Sequence, residues 1–256
     1  MRSTAIVAAT LFASLVSALP LAAQERSVNF ALRAGIAGRP AYPGSSDYEA
    51  TPDLGFTFGS LKWGRIDVGN GIGNIPNTGL ALRGALNIVG SRKADDYPEF
   101  AGFEDIDTAV ELGLGITYRQ TNWQAFGEVR QGFGGHNGVV GTLGADMIYR
   151  PTDRWTITAG PRLNLGNTEY ATTYFGVSAA DAAASTFGAY DADGGVLGSG
   201  AAIGATYRFD KNWALEGLLS YQKLRNSAAD SPITQSGSDD QWRLRIGVSR
   251  AFNLRF

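Results

Sequence analysis

Residues 104–120 read EDIDTAVELGLGITYRQ, and their side chains alternate between two kinds of surface. The even-numbered positions from Ile106 to Tyr118 form a largely apolar row, whereas the odd-numbered positions from Asp107 to Arg119 carry small, polar or charged groups. Because successive side chains of a β-strand point to opposite faces, this stretch predicts a strand with one apolar and one polar face. The predicted strand is longer than the about five or six residues that are common in globular proteins.

The same alternation recurs along the rest of the chain. In the last segment, for example, Trp242, Leu244, Ile246 and Val248 alternate with polar or small residues. The pattern predicts strands at about residues 28–37, 49–58, 62–69, 79–90, 104–120, 123–132, 138–150, 154–165, 196–209, 212–223 and 241–256.

Two all-β folds compete for a chain made of such strands. In a soluble sandwich the apolar face packs inward, whereas in a transmembrane barrel it faces lipid and the polar face lines the lumen. The polar faces here are rich in Gly and Ala with isolated charges, which suits a narrow lumen, and 34 of the 256 residues are Gly. Lys, in contrast, occurs only as Lys62, Lys93, Lys211 and Lys223. The composition therefore favours the barrel.

Three short connections share one arrangement of aromatic residues. Residues 118–123, 149–155 and 207–213 each begin with Tyr, pass through a polar turn and end with Trp. Amphipathic rings at one height on neighbouring hairpins are typical of the interfacial girdle of a membrane barrel. The other connections are long, and they are found at residues 38–48, 91–103, 166–195 and 224–240.

Short turns at one rim and long loops at the other are the layout of outer-membrane barrels, in which the number of strands is even. Counted inward from the two ends of the chain, residues 62–69 and 79–90 run in the same direction, so a returning strand is required between them. Residues 71–75 (GIGNI) are the one candidate. We therefore predict a transmembrane antiparallel up-and-down β-barrel of about 12 strands, with short periplasmic turns and long extracellular loops.

The N-terminal segment is predicted to be an export signal. Residues 1–23 combine the positive Arg2, a short apolar core and small residues at the end, as a secretory signal peptide does. The alternative, an N-terminal membrane anchor, is disfavoured because the apolar core is short. We expect residues 24–256 to form the barrel in the outer membrane of a Gram-negative cell.

Composition also excludes several classes of function. The chain has no Cys, which excludes a disulfide scaffold, a thiolate zinc site and a cysteine nucleophile. The formal net charge of -2 disfavours a nucleic-acid-binding protein. No pattern in the sequence indicates a cofactor or a metal, so none is expected.

Charged residues on the polar faces are the candidate functional residues. In a lumen they would either pair with each other and stiffen the barrel, which we favour, or line a path for solutes. The candidates are Arg33, Arg83, Glu111, Arg119, Glu128, Arg130, Asp146, Arg162, Arg208, Glu216, Arg243 and Arg245.

Three other motifs have simpler structural explanations. His136, the single His, lies in the Gly-rich segment 134–138, and no GxSxG motif supplies a serine nucleophile. We interpret that segment as a tight turn in which Gly and Asn adopt positive φ. Residues 191–195 (DADGG) resemble part of a calcium loop but lack its distal Glu, so we expect a solvated loop. Residues 178–185 (SAADAAAS) predict a short helix capped by Ser178 and placed in the longest outer loop, where it would act as a lid or plug.

Several segments together resemble the MipA/OmpV family of outer-membrane proteins, which is named for the MltA-interacting protein. The resemblance covers nearly the whole chain after the signal peptide. It is carried by PAYPGSSDYEATP (40–52), GFEDIDTAVELGLGITYR (102–119), EVRQGFGGHNG (128–138), YATTYFGVSAADAAAS (170–185), AADSPI (228–233) and the terminal strand.

The resemblance implies a non-enzymatic outer-membrane barrel. The founding member of the family is regarded as a scaffold that joins a murein-degrading lytic transglycosylase to a murein synthase, and other members are described as surface antigens or adhesins. We therefore expect contacts with outer-membrane lipid and lipopolysaccharide and, through a scaffold role, with a murein hydrolase and a penicillin-binding protein, but none with nucleic acid. A narrow pore or uptake channel and a surface adhesin remain the alternatives.

Overall fold

The computed structural model describes residues 26–69, 72 and 78–256, and within them the chain forms one antiparallel sheet of eleven strands. The signal peptide predicted at residues 1–23 lies outside the described residues. The strands are β1 (Ser27–Pro40), β2 (Tyr48–Trp63), β3 (Ile66–Gly69), β4 (Gly79–Val89), β5 (Ala109–Arg119), β6 (Trp123–Gly134), β7 (Val139–Thr152), β8 (Trp155–Gly166), β9 (Gly195–Arg208), β10 (Trp213–Leu224) and β11 (Asp240–Arg255).

The sheet curls into a nearly closed barrel. Consecutive strands pair with each other, and the first strand also pairs with the last, so that Ser27 lies opposite Arg255 and Gly38 opposite Leu244. The two free edges are β3 and β4. β4 lies close to both β3 and β2, and the ring of Phe56 on β2 lies 3.4 Å from the place that a Cβ on Gly84 of β4 would occupy. The predicted up-and-down barrel is therefore confirmed.

The predicted twelfth strand falls at the seam between β3 and β4. Residues 71–75 lie outside the described residues except for Ile72, which is in a bend. The eleven strands that the structure describes correspond one to one with the eleven that the alternation predicts. The twelfth stays a prediction.

The apolar faces of the strands point away from the barrel. In β5, Leu112, Leu114 and Ile116 are 51%, 69% and 59% exposed, whereas the intervening Glu111 is 1% exposed. A soluble sandwich requires the reverse, because its apolar side chains pack in the dry centre. The exposed side is thus the surface that lipid covers in an outer-membrane barrel.

Aromatic side chains line the rim that carries the short turns. The rings of Tyr118 and Trp123 lie 5.6 Å apart, and those of Trp155 and Tyr207 lie 5.0 Å apart. Arg250, a cation on the apolar face of β11, has its guanidinium 5.1 Å from the Trp213 ring. At this height it reaches the aqueous interface rather than the acyl chains, so its charge fits the girdle.

The strand predicted at residues 104–120 is shorter than expected. It begins at Ala109, and residues 104–108 belong to a loop in which Ile106 forms an isolated bridge with Arg92. Ile106 is buried, unlike the apolar residues that follow it on β5. Around this loop every third side chain is buried, at Phe103, Ile106 and Ala109, so the apolar side chain at position 106 packs inward whereas those on β5 face outward.

The long loops fold into a cap over the other rim. Their helices are α1 (Thr168–Phe175), α2 (Ala179–Ala184), α3 (Ser227–Asp230) and α4 (Pro232–Ser236). Ser178 caps α2, as predicted, in a reciprocal hydrogen-bonded arrangement with Asp181. None of the helices in the described part of the chain is long and apolar enough to cross a membrane.

Two apolar clusters hold the cap together. Cluster A joins the cap to the strand ends and consists of Ile106, Ala171, Tyr174, Phe175, Ala192, Leu197, Leu224 and Ala228. Cluster B lies within the loops and consists of Ala41, Tyr42, Phe100, Phe103, Val177, Phe187 and Ile233. Five outer connections of the described chain are tied to these clusters or to the strand ends, so packed side chains cover the outer end of the barrel there.

Candidate functional site in the barrel lumen

The lumen holds a cavity of about 640 Å³ that reaches from the cap into the barrel. Ten of the twelve predicted lumen charges line this cavity, and Arg208 and Glu216 do not. The ten are Arg33, Arg83, Glu111, Arg119, Glu128, Arg130, Asp146, Arg162, Arg243 and Arg245.

Four of these charges form a continuous chain of ion pairs along β4, β5 and β6. The Arg130 guanidinium donates to Glu111 at 2.8 Å and to Glu128 at 2.5 Å. Arg83 donates to the other oxygen of Glu128 at 2.7 Å. Buried charges are tolerated when each has a partner of opposite sign, and here two carboxylates alternate with two guanidinium groups.

His136 extends this chain into the outer turn. Its Nε2 lies 3.3 Å from Glu111, and its Nδ1 accepts a hydrogen bond from the backbone N–H of Gly138. The ring lies over Gly132, where a Cβ would come within 2.1 Å of it. Within residues 134–138 positive φ occurs at Gly134 alone, so the expectation that Asn137 also adopts it is wrong. The turn depends instead on a His packed inward.

A second polar group surrounds the aromatic ring of Phe126, which points into the lumen. The guanidinium groups of Arg83 and Arg162 lie 4.5 Å and 5.0 Å from the ring centre. Arg162 also pairs with Asp146 at 2.7 Å. A ring between two cations is attracted to both through its negative faces. This arrangement partly fills the section of the lumen between β6 and β8.

Arg119 is held by an amide rather than by a carboxylate. Its guanidinium donates to Oε1 of Gln124 at 2.8 Å and 2.6 Å. The amide of Gln124 in turn donates to Asp146 at 2.9 Å. The amide of Gln124 thus links Arg119 to Asp146 through hydrogen bonds, without direct contact between the two charged groups.

On the opposite wall, Arg33 bridges two strands. It donates to Asp53 on β2 at 2.9 Å and lies 3.5 Å from Glu216 on β10. Its side chain crosses Gly55 and Gly247, where added Cβ atoms would come within 2.6 Å and 3.0 Å of it. Gly at these positions therefore provides the space in which the guanidinium lies.

Three of the predicted charges have no such partner. Across residues 26–69, 72 and 78–256, the structure shows no hydrogen bond or ion pair to the side chains of Arg208, Arg243 or Arg245. The cavity lining holds eight Arg residues and three carboxylate residues. The pairing that we favoured from the sequence thus accounts for most of the lumen charges but leaves a positive excess on β11.

Several lumen residues were absent from the sequence-based set. Asp53, Gln124 and Phe126 lie on inward faces, and the alternation could have identified all three by position. Arg39 was absent from that set too. It pairs with Glu49 at 3.3 Å and donates to the carbonyl of Ile88 on β4, across the seam between the free edges of the sheet, at 2.7 Å.

The cap closes the cavity above these residues. The Arg92 guanidinium is buried 4.4 Å from the ring of Phe100 and donates to the carbonyl of Tyr174 at 3.4 Å. Burial lowers the pKa of Arg92 to about 10. Burial, reinforced by a hydrogen bond to Glu99, raises the pKa of the Tyr42 hydroxyl above its usual value.

Residues 191–195 have a structural role in the cap. Ala192 is buried in cluster A, and the carbonyl of Asp193 accepts a hydrogen bond from the hydroxyl of Ser227. In the part of the chain that the structure describes, no three His or acidic side chains converge in a way that could hold a metal ion.

Comparisons with known proteins identify one family and several solved structures that are similar to this chain. The family model described as MltA-interacting protein MipA matches residues 32–252. Among solved structures, a NanC porin is 9% identical over 88% of this chain and 98% of its own, with a TM-score of 0.39. OmpT, an outer-membrane protein of Vibrio cholerae, is 9% identical over 90% of this chain and 98% of its own, with a TM-score of 0.34. No curated protein matches the sequence.

Proposed function

Because this chain belongs to the MipA family, we propose that it is a non-enzymatic scaffold that holds a murein-degrading lytic transglycosylase and a murein synthase at the outer membrane. The family description itself refers to interaction with MltA. The cap favours a scaffold over a channel, because the apolar clusters A and B cover the outer end of the barrel. The surfaces left for other proteins are then the rims.

The rim with the short turns is the docking surface that we propose for the enzymes, because it faces the periplasm, where murein lies. Arg154 and Lys211 are exposed on two of these turns. The turn at residues 209–212 is rigid, since the carboxylate of Asp210 accepts hydrogen bonds from the backbone N–H groups of Asn212 and Trp213 at 2.7 Å and 2.9 Å. These two bonds lower the pKa of Asp210. A rigid turn can present a charged side chain to a partner at little entropic cost.

Copurification from crosslinked envelopes tests this proposal. The wild-type chain is expected to bring down a lytic transglycosylase and a penicillin-binding protein. The double variant Arg154→Glu/Lys211→Glu reverses two charges on the periplasmic rim and is expected to lose them. Lys93→Glu, on the opposite rim, serves as the matched control and should retain them. Recovery of neither enzyme with the wild-type chain would exclude the scaffold role.

The geometry of His136 supports the non-enzymatic part of the proposal. One ring nitrogen accepts a backbone hydrogen bond and the other faces Glu111, so neither is available to activate a serine. The chain and its His136→Ala variant are both expected to lack lipid hydrolysis. Hydrolysis by the wild type that disappears in His136→Ala would restore an esterase function.

A narrow channel and a surface adhesin are the alternative functions, and each has its own test. The positively lined cavity favours the channel, which requires measurable conductance in planar bilayers. A surface adhesin would use exposed cap residues such as Ala180 and Ala183 of α2. Unchanged binding to host matrix after substitution of both by Lys, or after deletion of the predicted loop 166–195, would exclude the adhesin.

A further inference from the structure

Arg243 and Arg245 are adjacent on one face of β11, and both line the lumen cavity. Their Cα atoms are about 6.8 Å apart, because an antiparallel strand rises about 3.4 Å per residue. The residues directly opposite Arg245 are Ala37 and Leu218, and the residue opposite Arg243 on β10 is Ser220. None of these directly opposite residues is a carboxylate.

The carboxylates that act on these two arginines from a greater distance already have other partners. Asp53 and Glu216 both bind Arg33, at 2.9 Å and 3.5 Å. Glu111 binds Arg130 at 2.8 Å. Arg33 and Arg130 thus pair with the carboxylates that could have neutralised Arg243 and Arg245.

Unpaired guanidinium groups in a confined lumen are costly, because a charge that loses water needs another group to replace it. A guanidinium presents a planar fork of N–H donors that matches the oxygens of a carboxylate or phosphate. We propose that Arg243 and Arg245 form a binding site in the lumen for a small oxyanion that carries carboxylate or phosphate groups. This proposal goes beyond the scaffold role and does not rest on it.

The surroundings of the two arginines fit such a ligand. The cavity of about 640 Å³ lies within the about 300–1,000 Å³ that small-molecule sites occupy. The hydroxyl of Ser220, beside Arg243, adds a donor. Arg33 and Arg39 lie on the neighbouring strand β1 and add to the positive potential. Both are held in ion pairs with carboxylates.

Isothermal titration calorimetry on the refolded, detergent-solubilised chain tests the proposal. Citrate and inorganic phosphate serve as probes at low ionic strength, and sucrose serves as the uncharged control. Saturable binding is expected for the anions alone, and it should weaken as salt is added, because added ions screen the attraction. Comparing citrate with phosphate shows which oxyanion the site prefers.

The double variant Arg243→Gln/Arg245→Gln is expected to bind the preferred anion at least about tenfold more weakly, which corresponds to about 1.4 kcal/mol. Arg208→Gln is the matched control, since Arg208 also lacks an ion pair in the described chain but does not line the cavity. It should bind like the wild type. The shift in gel migration between unheated and boiled samples establishes that each variant is folded.

Three outcomes would overturn the site. They are absence of saturable anion binding to the wild type, equal binding by the wild type and the double variant, and an equal loss in the Arg208→Gln control. Copurification of murein enzymes is expected to be unchanged in the double variant. Failure of the anion site and failure of the scaffold role are therefore seen in different measurements.

Discussion

Nε2 of His136 lies 3.3 Å from Oε1 of Glu111, which connects an outer turn to the inner wall of the barrel. Glu111 also accepts hydrogen bonds from Arg130 and from the amide of Asn87, at 2.8 Å and 3.0 Å. The His136 ring packs edge-on against Tyr170 of the cap, with 5.1 Å between ring centres. One carboxylate thus joins three strands, the turn after β6 and, through the imidazole, the cap.

Replacing Glu111 should therefore destabilise the barrel more than most single changes. In Glu111→Ala, Arg130 keeps Glu128 but loses its other carboxylate, and His136 and Asn87 lose an acceptor. Removing one member of a buried charge network typically costs about 3–5 kcal/mol, and the remaining Glu128 places the expected loss near the lower value. Urea unfolding in lipid vesicles, followed by Trp fluorescence, measures it.

Asp107→Ala is the matched control for this change, because Asp107 is an exposed carboxylate on the same side of the barrel. Its ion pair with Lys93 is exposed, so a change within about 1 kcal/mol is expected. A loss of less than about 1 kcal/mol in Glu111→Ala as well would contradict the view that the network stabilises the barrel.

The strands could be predicted from the sequence because lipid and lumen impose opposite chemistry on successive residues. The residue types alone therefore indicate that Leu112 lies on the lipid face and that Glu111 lies on the lumen face. The partners of the lumen charges could not be predicted in the same way. Arg33 meets Glu216 only because β1 and β10 both flank β11 in the closed sheet. Such contacts depend on closure and register, which alternation alone does not specify.

The cap was the least predictable part for a related reason. Its buried residues, such as Phe100, Tyr174 and Ile233, come from three loops that are far apart in sequence. They follow neither the period of a strand nor that of a long helix, so no local pattern marks them as a core. Ile106 is predicted to lie in a strand because the sequence alternates through residues 104–108, but the structure buries Phe103, Ile106 and Ala109, which are three residues apart.

Arg92 opposes the stability of the cap at neutral pH. Burial lowers its pKa in the folded chain to about 10, below the ordinary value of 12.5, so the protonated side chain is less stable in the cap than in the unfolded chain. The penalty is present at every pH below about 10 and is relieved only as the pH rises through that value. Arg92→Met removes the charge and keeps much of the volume.

We expect Arg92→Met to stabilise the cap by about 1 kcal/mol, because a well-packed apolar side chain often replaces a buried charge with no loss. Amide hydrogen exchange of α1 and of residues 97–103 measures the effect. Arg92→Ala, which leaves a cavity, should instead speed up exchange. Faster exchange in the Met variant would mean that contact with the Phe100 ring outweighs the cost of burial.

Gly residues on the lumen side should tolerate Ala much less well than Gly residues on the lipid side. A Cβ on Gly113 would lie 1.9 Å from the carbonyl oxygen of Val129 and 2.8 Å from Cγ of Arg130, whereas one on Gly217 has no neighbour nearer than 4.0 Å. Gly113→Ala is expected to cost about 1–3 kcal/mol of unfolding free energy. Gly217→Ala should change it by less than about 1 kcal/mol, and toward greater stability. Similar losses in both would contradict a crowded lumen.

Phe126 offers a test of the channel alternative. Its ring lies between the guanidinium groups of Arg83 and Arg162, so Phe126→Ala opens that section of the lumen. If the barrel conducts ions, the variant should show a larger single-channel conductance in planar bilayers than the wild type. Phe133→Ala, which shortens an exposed side chain on the outer face, is the control and should conduct like the wild type. Silent bilayers for all three proteins would exclude the channel.

The orientation of the apolar faces can be tested by placing a charge on them at two depths. Leu114 is 69% exposed near the middle of β5, and Tyr118 is 39% exposed near the short-turn rim. An Arg at the bilayer midplane costs about 2–4 kcal/mol, and one near the interface costs about 0–1 kcal/mol. Leu114→Arg should therefore lower the unfolding free energy in vesicles far more than Tyr118→Arg does. Equal costs at the two depths, or folding of Leu114→Arg without any lipid or detergent, would show that this surface does not face acyl chains.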